Sequence, residues 1–98
     1  MLVPPSYSIR LNEAASRFEL PIDGHLAFAE FSRAPGEITY FHTLVPHELE
    51  GHGVGSALVK HILDYAQQQK LQVHPTCSFV RAYIERHPQY QALLEPQA

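Results

Sequence analysis

The 98-residue chain has a single cysteine, Cys77. One thiol excludes an internal disulfide framework and a cysteine-rich zinc site. Basic residues are also scarce: seven Lys and Arg stand against ten Asp and Glu, for a formal net charge of −3. That balance argues against a nucleic-acid footprint and against an anchor to anionic lipid. No apolar run approaches the roughly 18 residues that a membrane span needs. The start, MLVPPSYSIR, has neither the charged nor the apolar region of a signal peptide. A soluble cytoplasmic protein is therefore expected, with no nucleic-acid or membrane partner. Internal repeats, low-complexity tracts and linkers are missing too.

What is present fits one domain, residues 1–98, with 45% hydrophobic and 17% charged residues. Its core is modest, because a chain this short buries about 60–65% of its unfolded surface. The first half reads as strands. Tyr7 to Glu13 places Tyr7, Ile9 and Leu11 at period two. Arg17 to Leu20 and His25 to Arg33 follow, with turns expected at Pro21–Gly24 and Ala34–Glu37. Ile38 to Val45 is the clearest strand, with Ile38, Tyr40, His42 and Leu44 on one face and Thr39, Phe41, Thr43 and Val45 on the other. Both faces are largely apolar, which predicts a central strand covered on both sides. Pro46 ends it.

The period then changes. Val54, Leu58, Ile62 and Ala66 recur every four residues and predict a helix to about Gln69, fraying in its polar end. Leu71 to His74 is a short strand stopped by Pro75. Thr76 reads as the N-cap of a second helix, Cys77 to Arg86, closed by His87-Pro88. The tail is expected to pack through Tyr90, Leu93 and Leu94. The order β-β-β-β-α-β-α is an α+β fold, a mixed sheet flanked by two main helices, with a parallel β-α-β crossover.

The stretch Gly51-His52-Gly53-Val54-Gly55-Ser56 joins the clearest strand to the long helix. Glycines there let a ligand approach the main chain, and the helix offers free N–H groups and a positive dipole end. That is a phosphate or pyrophosphate site; the competing reading is a plain strand-to-helix turn. No Lys-Ser/Thr follows the last glycine, which excludes a Walker A loop, and the register is not Gly-x-Gly-x-x-Gly. The seven histidines do not suggest a metal. His42, His47 and His52 lie five apart, which suits neither a strand face nor a helix turn, so no metal is expected.

Cys77 falls at a predicted helix start, where the dipole favours the thiolate and a nucleophilic role. It can equally be a small buried hydrophobe. His42 has the chemistry of a general base, or of a structural histidine bonded to a neighbouring strand.

The glycine loop, placed after Phe41-His42-Thr43-Leu44-Val45-Pro46, resembles the acetyl-CoA-binding motif of the GCN5-related N-acetyltransferases. With Pro75-x-Cys77-Ser78-Phe79-Val80 and His87-Pro88-x-Tyr90, the chain is similar to the very short subgroup of that family. The resemblance implies that Gly51, His52, Gly53, Val54, Gly55 and Ser56 bind the CoA pyrophosphate. It implies that the backbone of Leu44 and Val45 receives the pantetheine arm as an added strand. It implies that the strands carrying Thr43 and Val73 splay around the acetyl group, and that Tyr83 protonates the departing thiolate unless it only packs. The motif has Arg or Gln where this chain has Glu50, with Glu48 nearby, so weakened CoA affinity is expected.

Acetyl-CoA as cosubstrate and an amine acceptor, small or protein-borne, follow from the resemblance. Transfer would be direct or through Cys77, with His42 as base. The alternative is a CoA or acyl-CoA sensor or interaction module with little catalysis, since the acceptor-side helices of larger relatives are not seen. A monomer or a weak homodimer is expected.

Overall fold

A computed structural model of the chain describes residues 7–97. Five strands form one sheet in the order β1-β2-β3-β4-β5. They are β1 (Arg10–Asn12), β2 (Arg17–Ile22), β3 (His25–Ala34), β4 (Glu37–Leu44) and β5 (Gln72–Pro75). Helix α1 (Val54–Gln68) lies between β4 and β5, and α2 (Ser78–Arg86) follows β5. The expected element order holds, with 3₁₀ turns added at His47–Leu49 and Pro88–Leu94. No helix among the described residues is long and apolar enough to cross a membrane.

The first three pairings are antiparallel, and β4 with β5 is parallel, as a helical crossover requires. The β2–β3 hairpin turns on only two residues, Asp23 and Gly24, both at positive φ (50° and 77°). That is the backbone of a turn matched to strand twist. Pro21 and Ile22, expected in the turn, therefore stay in β2.

One face of the sheet builds the core. Register partners Phe18 and Ala29, Leu20 and Ala27, Phe31 and Tyr40, Ile38 and Val73 are all buried there. Val54, Leu58, Val59, Ile62, Leu63 and Ala66 of α1 pack against them, with Val80 and Ile84 of α2. The Tyr40 hydroxyl donates to the Ile62 carbonyl at 2.7 Å, fixing β4 to the middle of α1.

Two expectations at the helix ends are corrected. The end of α1 does not fray: Leu71 N–H donates to Ala66 O and Lys70 N–H to Gln67 O. This closes a Schellman motif, with Lys70 at φ 56° where glycine is usual and Leu71 buried behind it. At the other helix the N-cap is Cys77 rather than Thr76. In the tail, Tyr90 and Leu93 are buried but Leu94 is exposed, because the 3₁₀ repeat turns it outward.

The second face was expected to be covered and is instead open. Glu19 is buried on it only by its own partners. Its carboxylate accepts from Arg17 at 2.6 Å, Arg10 at 2.9 Å and Asn12 at 3.1 Å. These hydrogen bonds, that of Arg17 foremost, hold it down at about 2 from an ordinary 4.5. A carboxyl depressed in the folded state stabilises the fold above its unfolded value and loses that contribution on protonation. Urea midpoints should therefore fall as pH drops from about 4.5 to about 2. Glu19→Gln should flatten that part of the profile.

Candidate functional site

The sheet comes apart within β4. Its pairing with β5 runs from Glu37↔Gln72 to Tyr40↔Pro75 and stops. Pairing with β3 continues, but Phe31 opposes Tyr40 and Glu30 opposes His42, so Phe41 is an extra residue, a β-bulge. Directly opposed residues share a face. Beyond the bulge the phase of β4 is therefore reversed. Thr43, opposite Ala29, faces the helices; His42 and Leu44, opposite Glu30 and Phe28, face the open side. The expected alternation, with His42 and Leu44 beside Tyr40, is corrected by this single residue.

Past Tyr40 this edge of β4 has no strand partner among the described residues, and a cleft of about 410 Å³ opens beside it. Thr43, Val45, Leu49, Glu50, Gly51, Gly53, Val54, Gly55, Ser56 and Phe79 line it. The glycine loop is thus its wall. Gly53 caps α1 from the left-handed region, φ 73° and ψ 12°, with nothing within 4 Å of where a Cβ would lie. It is one of the residues that line the cleft. Gly55 is glycine for space: a Cβ there would meet the Phe79 ring at 2.8 Å and Val45 at 3.4 Å. Among the described residues that line the cleft there is no Lys or Arg, and Glu50 is one of them, its carboxylate 3.4 Å from His47 Nδ1.

Cys77 sits where the Tyr40 carbonyl, released from β5, accepts its N–H at 3.1 Å. Its Sγ lies 3.6 Å from Thr43 Oγ1. Burial pushes the thiol up. The N–H of Val80, the Thr43 hydroxyl, and the N–H groups of Phe79 and Thr43 outweigh it, and the net direction is down. Two of these donors are the first turn of α2, so the helix start does to Cys77 what its position predicts. Thr43 and Phe79, the contacts of Cys77, both line the cleft.

The other candidates divide. Gly51, Gly53, Val54, Gly55, Ser56 and Val45 line the cleft, whereas the Leu44 side chain turns to the open face. His52 is exposed beside the cleft, and its carbonyl accepts from the Tyr7 hydroxyl at 2.8 Å. His42 is exposed on the open face, its ring edge-on to Phe28 at 5.9 Å. His42 and Cys77 thus reach the strand split from opposite sides. Tyr83 is not brought to the cleft. It stacks on His87 at 3.9 Å, and burial raises its hydroxyl above the ordinary range, with Lys60 opposing and Asp64 adding. Thr43 is the residue that alternation hid: only the bulge aims it at Cys77.

The sequence profile described as GCN5-related N-acetyl-transferase matches residues 17–93. Protein NATD1 of Mus musculus is 35% identical over 57 residues, 56% of this chain and 52% of that protein. The Homo sapiens protein is 35% identical over the same length and half covered. The chain thus spans about half the length of the curated relatives it matches. The NMR solution structure of a GCN5-like protein from Staphylococcus aureus superposes with TM-score 0.70 at 30% identity, covering 88% of this chain and 85% of that one.

The geometry sets the expected outcome at both glycines and at the thiol. Gly53→Ala should cost about 1 kcal/mol in urea denaturation, from its left-handed backbone alone. Gly55→Ala should cost less, because the exposed Phe79 ring can swing away, and should shift the Phe79 ring signals in NMR. Iodoacetamide labelling of Cys77 should show a pH midpoint below that of a free cysteine peptide, and Thr43→Val should move it up.

Proposed function

Because the chain belongs to the GCN5-related N-acetyltransferase family, we propose that it transfers an acetyl group from acetyl-CoA to an amine. Within the family it falls in the compact subgroup marked by Pro75-x-Cys77-Ser78-Phe79-Val80. The observation that carries this reading is the cleft, which joins the unpaired edge of β4 to the glycine loop at the start of α1.

The residues fit the cosubstrate. Main-chain amides of residues 51–56 and the α1 dipole suit a pyrophosphate, with no side-chain cation needed. The free edge of Leu44 and Val45 suits an amide-bearing arm added as a strand. When bound there, acetyl-CoA supplies an activated thioester. Two routes are then open to the amine. In the direct one, His42 removes a proton from the amine at the open side of the split. In the covalent one, the Cys77 thiolate, held by Thr43 and the α2 amides, takes the acetyl group first. The donors that hold the thiolate also suit a developing oxyanion.

A second reading, binding of CoA without efficient transfer, draws on Glu50. Glu50 lines the cleft where the family motif has Arg or Gln, and its negative charge opposes a pyrophosphate.

Calorimetric titration with CoA and acetyl-CoA, followed by intact-mass analysis, tests both. The expected result is heat with each ligand and an acetyl adduct that maps to Cys77 and is lost in Cys77→Ala. Full turnover by Cys77→Ala would leave only the direct route. Binding with no turnover on any amine would favour the sensor reading. An absence of binding at millimolar ligand would overturn both.

A further inference from the structure

The open face of the sheet carries one carboxylate that the fold does not use. Glu30 of β3 stands directly opposite His42 of β4, at the strand split, and opposite Arg17 of β2 on its other side. Arg17 turns away from it. Its Nε bonds Glu19 at 2.6 Å and its guanidinium covers the Phe28 ring at 4.8 Å. Among the described residues Glu30 makes no side-chain hydrogen bond and no ion pair. Glu19, the neighbouring carboxylate on this face, is fully engaged. Glu30 is therefore the negative charge on this track with no internal partner. It lies one strand spacing, about 5 Å, from the histidine beside the split.

Resting on the acetyltransferase reading, we propose that the acceptor is a diamine. Its reacting amine meets His42 at the split, and Glu30 binds its second positive charge about one strand spacing inward. The exposed Leu44, in the next row of β4 beside His42, gives the carbon chain between the two nitrogens an apolar surface. His42 takes one proton from the reacting ammonium and passes it to solvent. The freed amine attacks the thioester carbon. The C–N bond forms, the C–S bond breaks with its electron pair on sulfur, and the second amine proton ends on that sulfur. Glu30 touches no reacting atom. It selects the acceptor by charge, and a monoamine leaves it unpaired.

The test compares butane-1,4-diamine with butylamine as acceptors, with acetyl-CoA as donor. In the wild type kcat/KM should favour the diamine by about tenfold, the scale of one charge-assisted contact at a half-buried site. Glu30→Gln should bring that ratio close to one, mainly through KM for the diamine, while the calorimetric heat with CoA persists and reports an intact fold. Raising the salt should shrink the wild-type ratio, a readout that needs no variant. Equal kcat/KM for the two amines in the wild type would overturn the second-charge site and leave acetyl transfer standing. A preference that survives Glu30→Gln would overturn Glu30 as its source. No turnover on either amine, or on any other, would overturn the acetyltransferase reading and this inference with it.

Discussion

Tyr40 is the residue on which the arrangement turns. Three of its groups face three elements. Its hydroxyl donates to the Ile62 carbonyl in the middle of α1. Its register partner Pro75 is the last residue of β5 that the sheet holds. Its carbonyl, past that point, accepts the Cys77 N–H. A strand normally passes its carbonyls from one ladder partner to the next. Here the acceptor goes to the N-cap of a helix, so β5 leaves the sheet and α2 starts in the same place. The cleft, the free edge of β4 and the low thiol of Cys77 are consequences of that one exchange.

The electrostatics follow from which groups reach the cleft. Among the described residues no Lys or Arg lines it, so the positive charge available there is that of main-chain dipoles at the start of α1. Such dipoles are fixed by the fold and cost no side-chain entropy on binding. They are local, however, and Glu50, one of the residues lining the cleft, carries the opposite sign. Glu50 is largely exposed, so solvent moderates its effect. Cys77 uses the same device at the start of α2, where Val80 and Phe79 amides oppose the burial that would otherwise raise the thiol. Two helix starts thus serve one region, one facing the glycine loop and one holding a sulfur.

Much of this was legible in the residues, and the exceptions have physical causes. The four-residue recurrence from Val54 to Ala66 defined α1 because one face of that helix meets the core. That Gly51 to Gly55 lines a cleft was legible because position and residue type agree. The bulge at Phe41 was not, since apolar and aromatic residues occupy both phases of Ile38 to Val45. No glycine or proline marks the extra residue. That one blind spot put His42 and Thr43 on the wrong faces and made the sheet look covered on both sides. The Schellman ending of α1 was hidden by Lys70 standing where glycine is usual. Glu30 was illegible for a different reason: its interest lies in a partner that is absent, and only the register displays that absence.

The reversed phase beyond Phe41 also separates the chemistry. A residue on the helix side, such as Thr43, reaches the Cys77 sulfur and is backed by a protein element. A residue on the open side, such as His42, meets solvent and any incoming amine. Without the bulge both would lie on faces that exchange roles, His42 in the core beneath α1 and Thr43 in water. A buried imidazole there would carry an unpaid desolvation cost on protonation and could not discharge a proton to solvent. A thiolate deprived of Thr43 would lose two of the four donors that oppose its burial. The extra residue thus does more than bend a strand: it puts His42 on the face that meets solvent and Thr43 on the face where it reaches the Cys77 sulfur.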